Sequence, residues 1–144
     1  MYKSILVPID VRHEGTGARI IEKAKGLADE GAKITLLHVM DDIPSHLQVY
    51  IPEGKLKSNL LEIKSELSTM AKNFGIDVEI VVRFGKASRI ILDEAESMGS
   101  DLIILASHKP GLQDYLIGTT ASSVVRRARC SVLIDRQEVP RIVF

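Results

Sequence analysis

The feature that most limits the possible folds of this chain is a series of five short apolar segments. They are separated by stretches in which apolar residues recur with the period of a helix. The segments cover residues 4–10, 33–39, 77–84, 101–107 and 131–135. The first, second and fourth are nearly continuous apolar runs, which is typical of strands covered on both faces in a parallel sheet. We therefore predict five strands that belong to one buried sheet.

The stretches between these strands predict four helices, because apolar residues recur at three- and four-residue steps and so share one helix face. The four faces are formed by Ile20, Ala24, Leu27 and Ala28; by Leu56, Leu60, Ile63, Leu67, Met70 and Phe74; by Ala87, Ile91, Ala95 and Met98; and by Ala121, Val124, Val125 and Ala128. Gly31, Gly75 and Gly99 follow the first three, where a left-handed residue ends a helix. The order β-α-β-α-β-α-β-α-β predicts an open three-layer α/β fold with parallel strands, and residues 1–144 form one domain.

Charge and cysteine content limit the partners and the compartment. The 19 basic and 19 acidic residues cancel, which gives no electrostatic basis for a nucleic acid or membrane partner. The apolar run before Asp10 is too short for a signal peptide or a membrane span. The single Cys130 fits a reducing compartment. We therefore expect a cytoplasmic protein.

Candidate ligand-binding residues lie where strands end, because open α/β sheets bind ligands beyond the carboxyl ends of their strands. Gly118, Thr119 and Thr120 begin the fourth helix, whose first turn presents unpaired N–H groups that attract phosphate. The alternative is that a threonine simply caps this helix. Asp10 follows the first strand and could accept hydrogen bonds from ribose hydroxyls, or serve as a turn or helix cap.

Four motifs together resemble the universal stress proteins, and the F and G branch of that family most closely. They are "ILVPID", "LLHV", "DLIILASH" and "LIGTTASSVVRRARCSVLI", spread over nearly the whole chain. The resemblance implies a Rossmann-like, open five-stranded parallel sheet of order 3-2-1-4-5 with helices on both faces. It also implies a homodimer and the binding of ATP or ADP, accompanied by Mg²⁺.

The ATP-binding group of this family carries the signature G-x-x-G, nine residues, then G-S/T. Here Ala106 and Lys109 stand at the first two glycines and the loop is one residue shorter, as in the F and G branch, while Gly118-Thr119 is intact. By resemblance, the nucleotide contacts are Pro8, Ile9 and Asp10 at the base and ribose; Val39 at the adenine; Ala106, Ser107, His108 and Lys109 at the ribose and phosphates; and Gly118, Thr119, Thr120 and Ala121 at the phosphates.

Other chemistries have weaker support in the sequence. There is no P-loop motif, and "GTGARI" (15–20) has Ile20 where a dinucleotide fingerprint needs its third glycine. The scattered histidines predict no metal site, and His38 is predicted to be a hydrogen-bonded core histidine. No catalytic residue is predicted, so we expect at most weak ATP hydrolysis.

Two classes of function remain, an ATP-binding stress or signalling protein and a nucleotide-free dimeric interaction protein of the same fold. Both predict a homodimer through the apolar edge strand 131–135, since an edge strand exposes unpaired backbone groups. The segment beyond it contains Ile142, Val143 and Phe144, which we expect to pack against the partner.

Overall fold

A computed structural model of the chain describes residues 1–10, 16–41, 43–106 and 118–136. Its elements are β1 (Tyr2–Pro8), α1 (Thr16–Leu27), β2 (Ala28–Met40), α2 (Lys55–Asn73), β3 (Glu79–Phe84), α3 (Ala87–Met98), β4 (Leu102–Ala106), α4 (Thr119–Arg127) and β5 (Ser131–Asp135). A short 3₁₀ helix, Ser45–Tyr50, lies between β2 and α2. The predicted alternation of five strands and four helices is confirmed. None of the helices in these ranges is long and apolar enough to cross a membrane.

The five strands form one parallel sheet in the order β3-β2-β1-β4-β5. The predicted order 3-2-1-4-5 is therefore confirmed. The chain builds the sheet outward from β1 to β3 and then returns to place β4 on the other side of β1. The strand order thus reverses between β1 and β4.

Helices cover both faces of the sheet. Alternate residues of β1 point to opposite faces: Ile5 and Val7 pack with α1 and α2, whereas Leu6 packs with α3 and α4. The helices bury matching stripes, formed by Ile20, Ile21 and Ala24 of α1, Leu67 and Ala71 of α2, Ile91 and Ala95 of α3, and Ala121 and Val124 of α4. Burial on both faces is the physical reason for the continuous apolar runs.

The first helix ends earlier than its pattern predicts. α1 stops at Leu27 and β2 starts at Ala28, so Gly31 lies in the strand and does not close the helix. The pairs Tyr2↔Ala28 and Ser4↔Lys33 enclose this irregularity, since β2 advances five residues while β1 advances two. Gly31 adopts a φ of 76° there. The prediction was right about the left-handed backbone and wrong about the element.

Other local predictions have mixed outcomes. Gly75 and Gly99 follow α2 and α3 with φ values of 65° and 64°, as predicted. Two apolar residues predicted to face the core are instead exposed, Leu56 at 37% and Val125 at 48%. The core-facing stripes of α2 and α4 are therefore narrower than the sequence pattern indicates.

Candidate functional site

The sheet opens between β1 and β4 at its carboxyl edge. Among the described residues, β1 pairs with β4 only as far as Leu6↔Ile103. By contrast, β1 stays paired with β2 as far as Pro8, and β4 stays paired with β5 as far as Ala106. The opening coincides with the reversal of strand order, which is where open α/β sheets bind ligands.

Hydrogen bonds to the neighbouring strand β2 hold the residues that follow β1 in place. The Ile9 N–H donates to the Leu37 carbonyl at 2.8 Å. His38 Nδ1 lies 2.9 Å from the Ile9 carbonyl and donates to it, because a carbonyl oxygen only accepts. Ile9 and His38 are both buried, and the half-buried Asp10 follows directly. The prediction for His38 is confirmed, and its bond holds the backbone that carries Asp10 at the crevice.

Three further predicted contacts lie at the carboxyl end of the sheet. Val39 is half-buried near the end of β2 and packs toward α3 and α4. Ala106 ends β4 half-buried and packs toward α1 and α2. Pro8, the last residue of β1, is half-buried beside them in the sheet. Pro8 and Ala106 end the two strands that flank the opening, and Val39 and Ala106 pack on opposite faces of the sheet.

The first turn of α4 presents backbone donors that the helix does not use. Its first intrahelical bond runs from the Ser122 N–H to the Gly118 carbonyl at 2.9 Å. The N–H groups of Thr119, Thr120 and Ala121 precede that bond, and at a helix start such groups need partners outside the helix. The residue at the N-cap is Gly118, and no side chain in the described part of the chain caps this helix. The alternative in which a threonine caps α4 is therefore wrong.

Among the described residues, nothing fills the space next to Gly118 at the start of α4. Gly118 is exposed, and no described atom lies within 4 Å of a Cβ placed on it. Its φ of −59° and ψ of 161° can be adopted by any residue. Neither backbone strain nor contact within the described residues requires glycine at this position.

Three predicted contacts, Ser107, His108 and Lys109, lie outside the described residues. Their role at the ribose and phosphates stays a prediction. Among the residues that are described, no group of His, Cys, Asp and Glu side chains is placed to hold a metal ion.

An ion cluster at the carboxyl end of β5 was missed by the sequence analysis. Asp135 is 5% exposed, and its carboxylate lies 2.7 Å from Lys23 Nζ and 3.0 Å from Arg19 Nε. The Arg19 guanidinium also donates to the Arg136 carbonyl at 2.9 Å. Two basic residues four apart on α1 and an acidic residue ending an apolar strand were the available signals. The cluster fixes the end of β5 against α1.

A glycine in the "GTGARI" motif has a packing role. A Cβ on Gly17 would lie 3.0 Å from Met70 Sδ and 3.3 Å from Ile9 Cγ2. The missing side chain lets the first turn of α1 lie close to Ile9 and α2. Gly17 therefore helps to position the residues next to Asp10.

A second carboxylate ties the opposite edge of the sheet together. Asp101 accepts hydrogen bonds from the Lys3 N–H at 2.8 Å and the Ser4 N–H at 2.9 Å. These donors, Lys3 first, favour the charged form and hold the pKa of Asp101 below its ordinary value, although burial opposes them.

The Cys130 thiol lies near this carboxylate. Burial and the charge of Asp101 raise the pKa of the Cys130 thiol. Cys130 packs half-buried among apolar residues, as predicted.

Comparison with known proteins identifies the family. The profile of the universal stress protein family matches residues 1–136. Universal stress protein G of Escherichia coli O157:H7 is 32% identical over 142 residues, which cover 94% of this chain and 100% of that protein. This similarity agrees with the predicted closeness to the F and G branch.

Solved structures share the fold. The hypothetical protein MJ0577 superposes with a TM-score of 0.76 and 28% identity over 97% of this chain and 99% of that one. A universal stress protein in complex with cAMP superposes with a TM-score of 0.65 and 20% identity over 92% of this chain and 95% of that one. The sequence matches, the strand order and these superpositions agree, and the chain belongs to the universal stress protein family.

Proposed function

We propose that this protein binds an adenine nucleotide, ATP or ADP, at the opening between β1 and β4, and acts as a stress or signalling module. One observation carries the proposal: three N–H groups that α4 does not use stand at the carboxyl edge where the strand order reverses. The adenine nucleotide cAMP bound to a protein of the same fold supports the choice of ligand.

The residues at this edge fit a nucleotide by chemistry. Phosphate oxygens accept hydrogen bonds, and the start of α4 supplies backbone donors together with the hydroxyls of Thr119 and Thr120. The Asp10 carboxylate suits the ribose, since vicinal hydroxyls donate to it. Val39 offers apolar surface for the base. When Mg²⁺ accompanies the nucleotide, it neutralises part of the phosphate charge.

The connectivity supports a phosphate-sensing role. ATP and ADP differ by one phosphate, and a site that contacts the terminal phosphate at the start of α4 would distinguish them. α4 leads directly into β5, the edge strand. We propose that the nucleotide state is transmitted along α4 to the surface formed by β5, in a cytoplasmic protein as its single cysteine suggests.

We further propose that two copies pair through β5. The other edge strand, β3, carries Glu79 and Arg83, and charged side chains protect an edge from pairing. β5 has half-buried apolar residues at 132–134, and Lys23 and Arg19 hold its Asp135 carboxylate inward. The β5 edge is therefore the better surface for a second chain.

Native mass spectrometry of the purified protein tests the nucleotide proposal. We expect an additional mass that corresponds to ATP or ADP in the wild type and its loss in Gly118→Asp. A protein that carries no nucleotide, and that shows no mass shift after incubation with millimolar ATP and Mg²⁺, would contradict the proposal.

A nucleotide-free interaction protein is the second candidate. The 3₁₀ helix and the first half of α2 expose apolar side chains, Leu47 at 44%, Val49 and Tyr50 at 80% and Leu61 at 57%. Leu47, Val49 and Tyr50 lie within one six-residue element, and contiguous exposed apolar residues favour contact with another protein. A dimer that binds no nucleotide in the same mass spectra would support this candidate.

A further inference from the structure

A pocket of about 140 Å³ lies at the amino end of the strands, opposite the carboxyl end that forms the nucleotide crevice. It is formed where α3 and α4 end and where β5 is about to begin. Its apolar wall includes Leu92, Ala95, Ile103 and Ala128, and the Cys130 thiol lines it next to β5. An engineered apolar cavity of about 150 Å³ is large enough to bind benzene. The pocket therefore has room for one aromatic ring.

Some polar groups around this pocket could form further hydrogen bonds or ion pairs. Ser100 lines it, and its buried Oγ has no hydrogen-bond partner. At the rim, Arg129 Nη1 lies 3.6 Å from Glu96 Oε1, and this ion pair is loose and exposed. Arg127, also at the rim, is exposed and makes no ion pair within the part of the chain that the structure describes. An occupant with an apolar body and a nearby carboxylate would match both the wall and the rim.

The position of the pocket relates it to the proposed dimer. A twofold axis normal to the sheet makes two paired β5 strands antiparallel. Pairing centred on Leu133 then sets Asp135 of the partner subunit opposite Ser131. The partner strand thus ends next to Cys130, at the pocket, and the chain beyond it continues from there.

Residues 137–144 lie outside the described residues. We propose that the pocket receives the apolar segment 142–144 of the partner subunit, with the partner's Phe144 filling it. Residues 136–144 span up to about 30 Å when extended, far enough to reach the pocket even with a bend at Pro140. The partner's Glu138 supplies a carboxylate for Arg127. This inference rests on the proposed β5 homodimer, and each nucleotide site would then lie at the opposite edge from the docked tail.

The single native cysteine makes a direct test possible. In Val143→Cys, mild copper-catalysed oxidation should link residue 143 of one chain to Cys130 of the other, because a disulfide needs Cα atoms within about 7 Å. The reaction is run near pH 8.5, roughly the pKa of an ordinary thiol, since burial raises the pKa of Cys130. We expect a covalent dimer on a non-reducing gel as the main product.

Two matched controls accompany this variant. Cys130→Ser combined with Val143→Cys should give no covalent dimer, which excludes links between two tails. Val49→Cys places a cysteine at an 80% exposed position in the 3₁₀ helix that follows β2. This variant should leave Cys130 unlinked. In a separate measurement, Phe144→Ala should raise the dimer dissociation constant by about tenfold or more.

The outcomes separate the tail from the dimer. A disulfide within one chain, in a band of monomer size, would place the tail in its own pocket and overturn the assignment to the partner. A sedimenting dimer with both thiols free would overturn the docking and leave β5 pairing intact. A wild-type monomer at micromolar concentration would overturn both proposals.

Discussion

Gly118→Asp should abolish tight ATP binding while leaving the fold intact. The substitution puts a carboxylate at the N-cap of α4, in front of the N–H groups that we assign to phosphate. No described atom lies within 4 Å of the new Cβ, and the φ of −59° suits any residue. Aspartate is also a good N-cap, so the variant should be as stable as the wild type or more stable by a few tenths of a kcal/mol.

The size of the effect follows from charge repulsion. Unit charges 4 Å apart repel by about 1 kcal/mol in bulk water and about 4 kcal/mol near a protein surface. Because Gly118 is exposed, the penalty for one phosphate charge should fall between these limits. That range corresponds to a loss of affinity of roughly 5- to 1,000-fold, and the several charges of ATP place it toward the upper end.

Isothermal titration calorimetry with ATP and Mg²⁺ measures this loss, and Gly118→Asn is the matched control. Asparagine has nearly the same size and also caps helices, but it carries no charge. The difference between the two variants therefore isolates the charge, and the difference between asparagine and glycine isolates the bulk. Unchanged ATP affinity in a folded Gly118→Asp protein would refute the assignment of phosphate to α4.

Three further predictions concern single side chains. Asp10→Ala should weaken ATP binding by roughly 10- to 100-fold and reduce any preference over 2′-deoxy-ATP in calorimetry; equal wild-type affinity for both nucleotides would show that Asp10 does not contact the ribose. Asp101→Asn should destabilise the fold by about 1 kcal/mol at pH 7 in urea titrations, because one backbone donor loses its acceptor. Since folding lowers the pKa of Asp101, its stabilisation is present above the unfolded value of about 3.9 and disappears as pH falls through the folded one. The gap between variant and wild type should therefore narrow in acid, and an equal gap at pH 7 and pH 3 would contradict this reasoning. Cys130 should react with iodoacetamide at pH 7 more slowly than free cysteine, because its raised pKa leaves less thiolate, and urea should abolish the difference; a native rate equal to that of free cysteine would count against burial.

The strands and most of the core could be predicted from the sequence because buried strands and buried helix faces have recognisable patterns of apolar residues. Residues such as Ile5, Leu6 and Val7 are all fully buried, so β1 reads as a continuous apolar run. The end of α1 could not be predicted in the same way. Gly31 has the left-handed backbone that ends many helices, but pairing with β1 starts at Ala28 and determines the element.

The candidate site divides along a similar line. Asp10 and Gly118 could be found because one follows a strand and the other precedes a helix, which are local features. The Asp135 cluster could not, since Lys23 and Arg19 are 112 and 116 residues away in the chain and meet it only through the fold. The packing role of Gly17 could not be predicted either, because its close approach to Met70 depends on how α1 and α2 pack.

The location of the nucleotide is the central claim, and backbone NMR tests it most directly. In ¹H–¹⁵N spectra of the labelled protein, titration with ATP and Mg²⁺ should shift the amide signals of Thr119, Thr120 and Ala121 most strongly, because these N–H groups gain phosphate as an acceptor. The amide signal of Asp10 should shift as well. Saturable ATP binding that leaves these four signals in place would contradict the account.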